Sequence, residues 1–297
     1  CIERLLDVMG TLDEDFELIF VDDGSTDNTF AILEDYASRD ERVKCVSFSR
    51  NFGHQAALVA GLSLARGRAV ISMDADLQHP PELIPKMIEL WKGGTEVVRT
   101  VKESSKTFGP ARGVAMFFAY RLIRMLSGLD LSFGQSDFRL LDRKVVDELT
   151  SMPERRKFLR GLVSWVGFSQ STIPYSPAER YADVPKYTYK KLMSLAFDGV
   201  FPFSTMPLRL AFWAGILATL VAVVYFLLVV LNLIGISIPG FAEEAPRGWL
   251  SLMSMVLFIG GVQMLSIGVL GEYIARIYDQ VLERPAYVVR RTIGLRE

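Results

Sequence analysis

The sequence predicts an α/β domain on a mostly parallel sheet, followed by a pair of membrane-spanning helices. Three observations carry this expectation. Short apolar, β-rich runs alternate with helically spaced apolar residues from the N-terminus onward, the order that gives a parallel sheet with helices on both faces. One such run, residues 68–73, leads directly into Asp74-Ala75-Asp76-Leu77-Gln78. Residues 210–242 and 248–271 contain no Asp, Glu, Lys or Arg, and each exceeds the ~20 apolar residues that a spanning helix needs.

Taken in order, Ile2, Leu5, Leu6 and Met9 have helical spacing, and residues 16–21 form a short apolar strand. That strand ends in Asp22-Asp23-Gly24-Ser25-Thr26-Asp27. Ser25 or Thr26 suits a cap for a helix over 28–37, with Asp27 in its first turn favoured by the dipole. A strand running through D-D-G-S into a helix is the βα turn of a nucleotide-binding unit. Its acidity excludes a phosphate cradle of the P-loop kind. It suits ribose hydroxyls or base N–H groups, with a capping loop that binds nothing as the equal alternative. Residues 43–48 are the next strand and 55–65 a helix rich in small residues, fit for close packing on the sheet. His54, between them, reads as a structural hydrogen-bonder rather than a catalytic base.

The strand at 68–73 brings the acidic triplet to its C-terminal edge, where α/β sheets bind ligands. Asp74, Asp76 and Gln78 supply hard oxygen donors that suit Mg²⁺ or Mn²⁺, with diphosphate oxygens completing the shell. A solvated turn is the plainer reading of a lone D-x-D. His79 either orients a ligand carboxylate or simply starts the next helix. Pro80-Pro81 open that amphipathic helix and Gly93-Gly94 end it.

Residues 95–98 give another strand, followed by a polar loop with Lys102, Lys106 and Arg112 and a helix over 114–126. Residues 134–140 read as a connection into a helix at 143–149. Residues 154–165 read as a basic amphipathic helix, either a solvated face or groups near an anionic substrate or a membrane surface. A strand is expected at 168–175, and 178–191 is polar, aromatic and basic, with Arg180, Lys186, Tyr187, Lys190 and Lys191. Residues 190–203 suit an interfacial helix before the first span. Cations flank both spans, which places the α/β domain and both ends in the cytoplasm. Asn232 and Gln263 are tolerable in a helix pair, and Gly260-Gly261 would allow close helix contact and self-association.

Composition narrows the function classes. A formal net charge of −1 offers no basic field for nucleic acid. The two cysteines, Cys1 and Cys45, have neither metal-ligand spacing nor the number for a disulfide framework. The chain opens inside a helical pattern, and a strand is expected to precede it.

Five segments then occur in order: VDDGSTDNT (21–29), SRNFGHQAAL (49–58), DADLQHPPELI (74–84), SDFRLLDRKVVDEL (136–149) and RRKFLRGLVSWVGF (155–168). Together they resemble glycosyltransferase family 2, and more closely its polyprenyl-phosphate branch, similar to dolichol-phosphate mannose synthases and bacterial undecaprenyl-phosphate glucosyltransferases. The resemblance implies a GT-A (Rossmann-like) nucleotide-sugar domain over 1–180. Juxtamembrane helices follow at 181–207, spans at 208–238 and 248–271, and a cytoplasmic tail at 272–297. It implies an inverting transfer from a nucleotide-sugar, UDP ahead of GDP, to a polyprenyl phosphate at the bacterial inner membrane.

The same resemblance gives Asp22 and Asp23 to the nucleoside, Asp74, Asp76 and Gln78 to Mg²⁺ or Mn²⁺, and Asp137 to the acceptor side of the reaction centre. Lys102 stands where relatives carry a phosphate-facing Arg, keeping charge but losing a bidentate fork. Arg112 and Arg139 fall to phosphate or acceptor contacts. Arg180, with Lys186 and Tyr187, matches a basic loop that closes over donor and lipid phosphate. The family's P-x-Y-N-E motif is absent. A processive synthase would need Q-x-x-R-W and more spans. A silent scaffold is opposed by the intact triplet, and a flippase by the lack of intramembrane charge.

Overall fold

In the computed structural model, which describes residues 1–76, 78–102, 135–155, 157–176, 204–234 and 248–295, the chain forms two units. One is Cys1–Gly199 with Glu283–Glu297, the other Val200–Leu282. The helix expected at 114–126, the interfacial helix at 190–203, and Arg112, Arg180, Lys186 and Tyr187 lie outside the described residues.

The first unit begins with α1 (Ile2–Gly10), β1 (Leu18–Asp22), α2 (Thr29–Arg39), β2 (Val43–Phe48), α3 (His54–Leu64) and β3 (Ala69–Ser72). A 3₁₀ turn at Pro81–Leu83 leads into α4 (Ile84–Lys92), then β4 (Val97–Lys102). β5 (Gln135–Asp142), α5 (Arg143–Ser151), α6 (Leu159–Trp165) and β6 (Gln170–Tyr175) follow. The last strand, β7 (Val289–Ile293), comes after the second unit.

The strands make two sheets, ordered β1-β2-β7 and β3-β5-β4-β6. β1 is parallel to β2 and β4 to β6, whereas β7 is antiparallel to β2, and β5 is antiparallel to both β3 and β4. The expected mostly parallel sheet is therefore mixed. Two strands account for the change. β5 occupies residues expected to be a connection: Gln, Ser, Asp and Arg depress its strand propensity, yet Gln135 through Leu141 are all buried. β7 lies in the expected tail, where Arg290-Arg291 read as a cationic flank. There the segment covers the edge of β2, and Tyr287 stacks on Phe48 with ring centroids 4.8 Å apart.

Two buried clusters fix the layers around the site. Leu5, Ile84, Met87, Val98, Phe138, Leu140 and Ile173 join α1 and α4 to the β5 sheet. Val46, Phe48 and Ala60 join α3 to β2. The small residues of α3 bring it close to β1, where a Cβ on Gly61 would lie 3.6 Å from Val21 Cγ2.

Local chemistry corrects two further expectations. Neither Ser25 nor Thr26 caps α2; Asp27 Oδ1 accepts the Thr29 N–H at 3.0 Å. The basic stretch 154–165 is helical only from Leu159. Before it, Lys157 Nζ donates to the Leu149 and Thr150 carbonyls at 2.8 and 2.7 Å, closing the end of α5 as a cation does at a helix C-terminus.

Gly24 sits at φ +71°, and a Cβ there would lie 2.5 Å from Arg50 C and 2.8 Å from Asn51 N. Both obstacles are backbone. Gly24→Ala should cost on the order of 2–3 kcal/mol, read as a lower midpoint in thermal unfolding.

The second unit is a helical pair, α7 (Met206–Leu233) and α8 (Gly248–Val281). Both are long and apolar enough to cross a membrane, and side chains such as Leu217, Leu220, Phe258 and Leu265 are exposed. α8 runs past the expected end at 271; its 34 residues span about 51 Å at 1.5 Å per residue. Glu272 and Arg276 pair at 3.0 Å on that extension. Among the described residues, a Cβ on Gly260 or Gly261 would meet no atom within 4 Å.

Candidate active site

The acidic turn leaves β3 at Ser72, whose Oγ donates to the Asp137 carbonyl at 2.6 Å. Ser72 is in register with Arg139 of β5, so the strand pairing brings the start of the acidic turn toward Asp137. Asp76 is exposed and its Oδ1 accepts the Gln78 N–H at 3.1 Å. Asp74 donates its own N–H to His79 Nδ1 at 3.1 Å. His79 is only 5% exposed, and burial lowers its pKa from 6.5. It anchors the turn from inside, beyond either role expected of it.

Among the described residues no three His, Cys, Asp or Glu converge as a metal site. The donor set that does exist is two carboxylates on one turn with an amide two residues on. Such a set fits a hard divalent ion whose remaining ligands come from water or substrate oxygens. It does not fit a closed protein cage.

Asp137 is the electrostatic centre. It is 2% exposed and accepts Arg160 Nε and Nη2 at 3.1 and 2.7 Å, a fork-on-carboxylate pair. Arg139 Nη2 also bonds it, and His54 Nε2 lies at 3.2 Å. His54 Nε2 is in turn 3.6 Å from Asp74 Oδ1, so one imidazole touches both acidic groups. Burial opposes ionisation of Asp137. Hydrogen bonds from His54 and Arg160, and the charges of Arg139 and Arg160, outweigh it and hold the carboxyl far below its usual range. Such a carboxylate is an anion and a very weak base. His54 is pushed up from 6.5, chiefly by its bond to Asp137.

Two expected ligand contacts are engaged within the protein. Asp22 is 4% exposed, and its oxygens accept the Ser25 N–H at 3.0 Å and the Ser47 hydroxyl at 2.8 Å. These bonds shape the loop. Arg139 is 2% exposed and spent on Asp137, so it is not an open phosphate contact. Asp23 bridges to the next loop, accepting the Phe52 N–H at 2.6 Å and the Gly53 N–H at 2.9 Å. Lys102, exposed at the end of β4, is in register with Tyr175.

Comparison with known proteins places the chain in a family. The Glycosyl transferase family 2 model matches residues 1–150, and the GtrB C-terminal hairpin model matches 206–277. This chain belongs to glycosyltransferase family 2. It is 45% identical to the uncharacterized glycosyltransferase YkcC of Bacillus subtilis (strain 168), over 99% of this chain and 89% of that one. It is 40% identical to the prophage bactoprenol glucosyl transferase homolog of Escherichia coli (strain K12), over 93% and 88%. The bactoprenol glucosyl transferase of Shigella phage SfII is 38% identical, over 93% and 87%.

In this family 2 glycosyltransferase the mixed α/β unit is GT-A-like, and the hairpin match coincides with α7 and α8. Arg160 and His54 both meet Asp137 from distant parts of the chain. Arg160 reads in sequence as one cation among several in a basic helix, whereas His54 takes the structural hydrogen-bonding role expected of it, at Asp137. No spacing signal links either to Asp137, 23 and 83 positions away; β5 brings them together.

Proposed function

We propose that this glycosyltransferase moves a sugar from a nucleotide diphosphate, a UDP-sugar ahead of a GDP-sugar, to a polyprenyl phosphate at the bacterial inner membrane. The array Asp74–His54–Asp137–Arg160 carries the reading. It sets an exposed acidic turn next to cationic groups anchored on one buried carboxylate, as two anionic substrates meeting at one carbon require. The two long apolar helices and the names of the bactoprenol relatives support a lipid acceptor.

The lipid phosphate oxygen attacks the anomeric carbon, and the bond to the diphosphate breaks with its electrons going to the nucleotide. Configuration inverts. The nucleophile is already anionic at neutral pH, so no strong base is needed, in keeping with the depressed pKa of Asp137. Asp137 instead holds Arg160 and His54, which we assign to the acceptor phosphate; Arg160 keeps 32% of its side chain exposed. Asp23 and the 49–53 loop hold the nucleoside side, with Lys102 toward phosphate. Asp74 and Asp76, with Gln78, would hold Mg²⁺ or Mn²⁺, which supplies charge neutralisation to the departing diphosphate. Cationic flanks support a cytoplasmic catalytic unit.

The test uses the purified full chain with Mn²⁺, undecaprenyl phosphate, and a panel of UDP- and GDP-sugars. Glycolipid should form from one donor and none should form with undecaprenol, which lacks the phosphate. Folded protein that transfers from no donor would overturn the reading. Donor hydrolysis without glycolipid would move it to another acceptor.

A further inference from the structure

His79 forms a hydrogen-bonded chain whose direction is fixed at one end by the backbone. Asp74 N–H can only donate, so His79 Nδ1 accepts it, at 3.1 Å. The imidazole is then neutral with its proton on Nε2, which donates to Ser136 Oγ at 2.6 Å. Ser136 Oγ also accepts the Phe138 N–H at 3.1 Å. The ring cannot swing. It stacks on Phe138 with centroids 5.3 Å apart and meets Tyr175 edge-on at 5.8 Å. One buried side chain thus ties the first residue of the acidic turn to the residues on both sides of Asp137.

We infer that His79 is a positioning residue that sets the spacing between the cation-holding turn and the Asp137 array. Nothing about this role depends on proton transfer. It depends on one acceptor, Nδ1, placed against one backbone N–H. The catalytic consequence rests on the transfer reading above, while the effect on cation binding does not.

Two near-isosteres separate the two ends of the ring. Asn puts its Oδ1 where Nδ1 stands, and Gln puts its amide near Nε2. His79→Asn should keep Mn²⁺ affinity, measured by electron paramagnetic resonance of free Mn²⁺ with UDP present, within about threefold of the native chain. His79→Gln should weaken it by about tenfold or more, the usual cost of removing an outer partner of a ligand. Thermal unfolding of both variants controls for packing, and Ser136→Ala, which leaves Nδ1 in place, should follow His79→Asn. Equal losses in the Asn and Gln variants, in step with their unfolding midpoints, would overturn the inference in favour of simple packing. A native chain that binds no Mn²⁺ would overturn it too. If the panel assay shows no transfer while the Asn and Gln variants still differ in Mn²⁺ affinity, the transfer reading fails and the positioning role stands.

Discussion

Asp76→Asn should reduce glycosyl transfer by about 10³-fold, the scale set by losing an electrostatic stabiliser of developing charge. Its thermal midpoint should stay close to that of the native chain. The contrast comes from where Asp76 sits. Its side chain is exposed, and its carboxylate accepts the Gln78 N–H in a turn, a bond that an Asn side chain also accepts. A surface change of this kind shifts stability by roughly 0.5 kcal/mol or less. Initial rates across a Mn²⁺ series, with unfolding curves alongside, give both quantities. Retention of more than a tenth of the native rate at saturating Mn²⁺ would remove Asp76 from the metal turn.

Asp137→Asn should show the opposite balance, with a large loss of stability accompanying the loss of activity. Arg139, buried in β5, and Arg160 both lose the anion they share. Breaking a buried pair by removing one partner costs about 3–5 kcal/mol, which in a unit of this size lowers the midpoint by roughly 10 °C. Asp137→Asn with Arg139→Met removes a buried charge as well and should recover part of that loss.

The pH dependence has a definite sign. The folded carboxyl lies below the ordinary aspartate value of 3.8. Its contribution is therefore complete above 3.8 and fades as the pH falls from there toward the folded value. The native chain should lose this component on acidification and the Asn variant should lack it. His54 runs the other way: its contribution is whole below 6.5 and is lost as pH rises through its raised value. An Asn variant as stable as the native chain would show that Asp137 is not the hub of the array.

The parts legible in the sequence are those where local pattern and tertiary role agree. β2 is legible over Val43–Phe48 because two valines, a cysteine and a phenylalanine give it an apolar, strand-favouring character. The acidic turn was legible because its chemistry lies within five residues, and the helical pair because absence of charge over a long stretch has few other meanings. β5 was not legible. Its polar residues are satisfied by partners far away in sequence, Ser136 by His79 and Asp137 by Arg160 and His54, so its composition resembles a loop. The internal bonds of Asp22 are hidden in the sequence for a related reason. A carboxylate in a D-D-G-S loop looks the same in sequence whether it faces a ligand or, as here, Ser25 and Ser47.

The place of β7 bears on the order in which the molecule is made. A chain leaves the ribosome from its N-terminus, so β2 and its loop to His54 emerge early. The strand that pairs with β2 emerges after both apolar helices. Until then Ser49 N lacks the Val288 carbonyl it bonds at 2.9 Å, and Phe48 lacks the Tyr287 ring. The β1-β2-β7 sheet is thus finished only after α7 and α8 have been delivered. Completion of the mixed α/β unit is coupled to that of the hairpin by chain order alone.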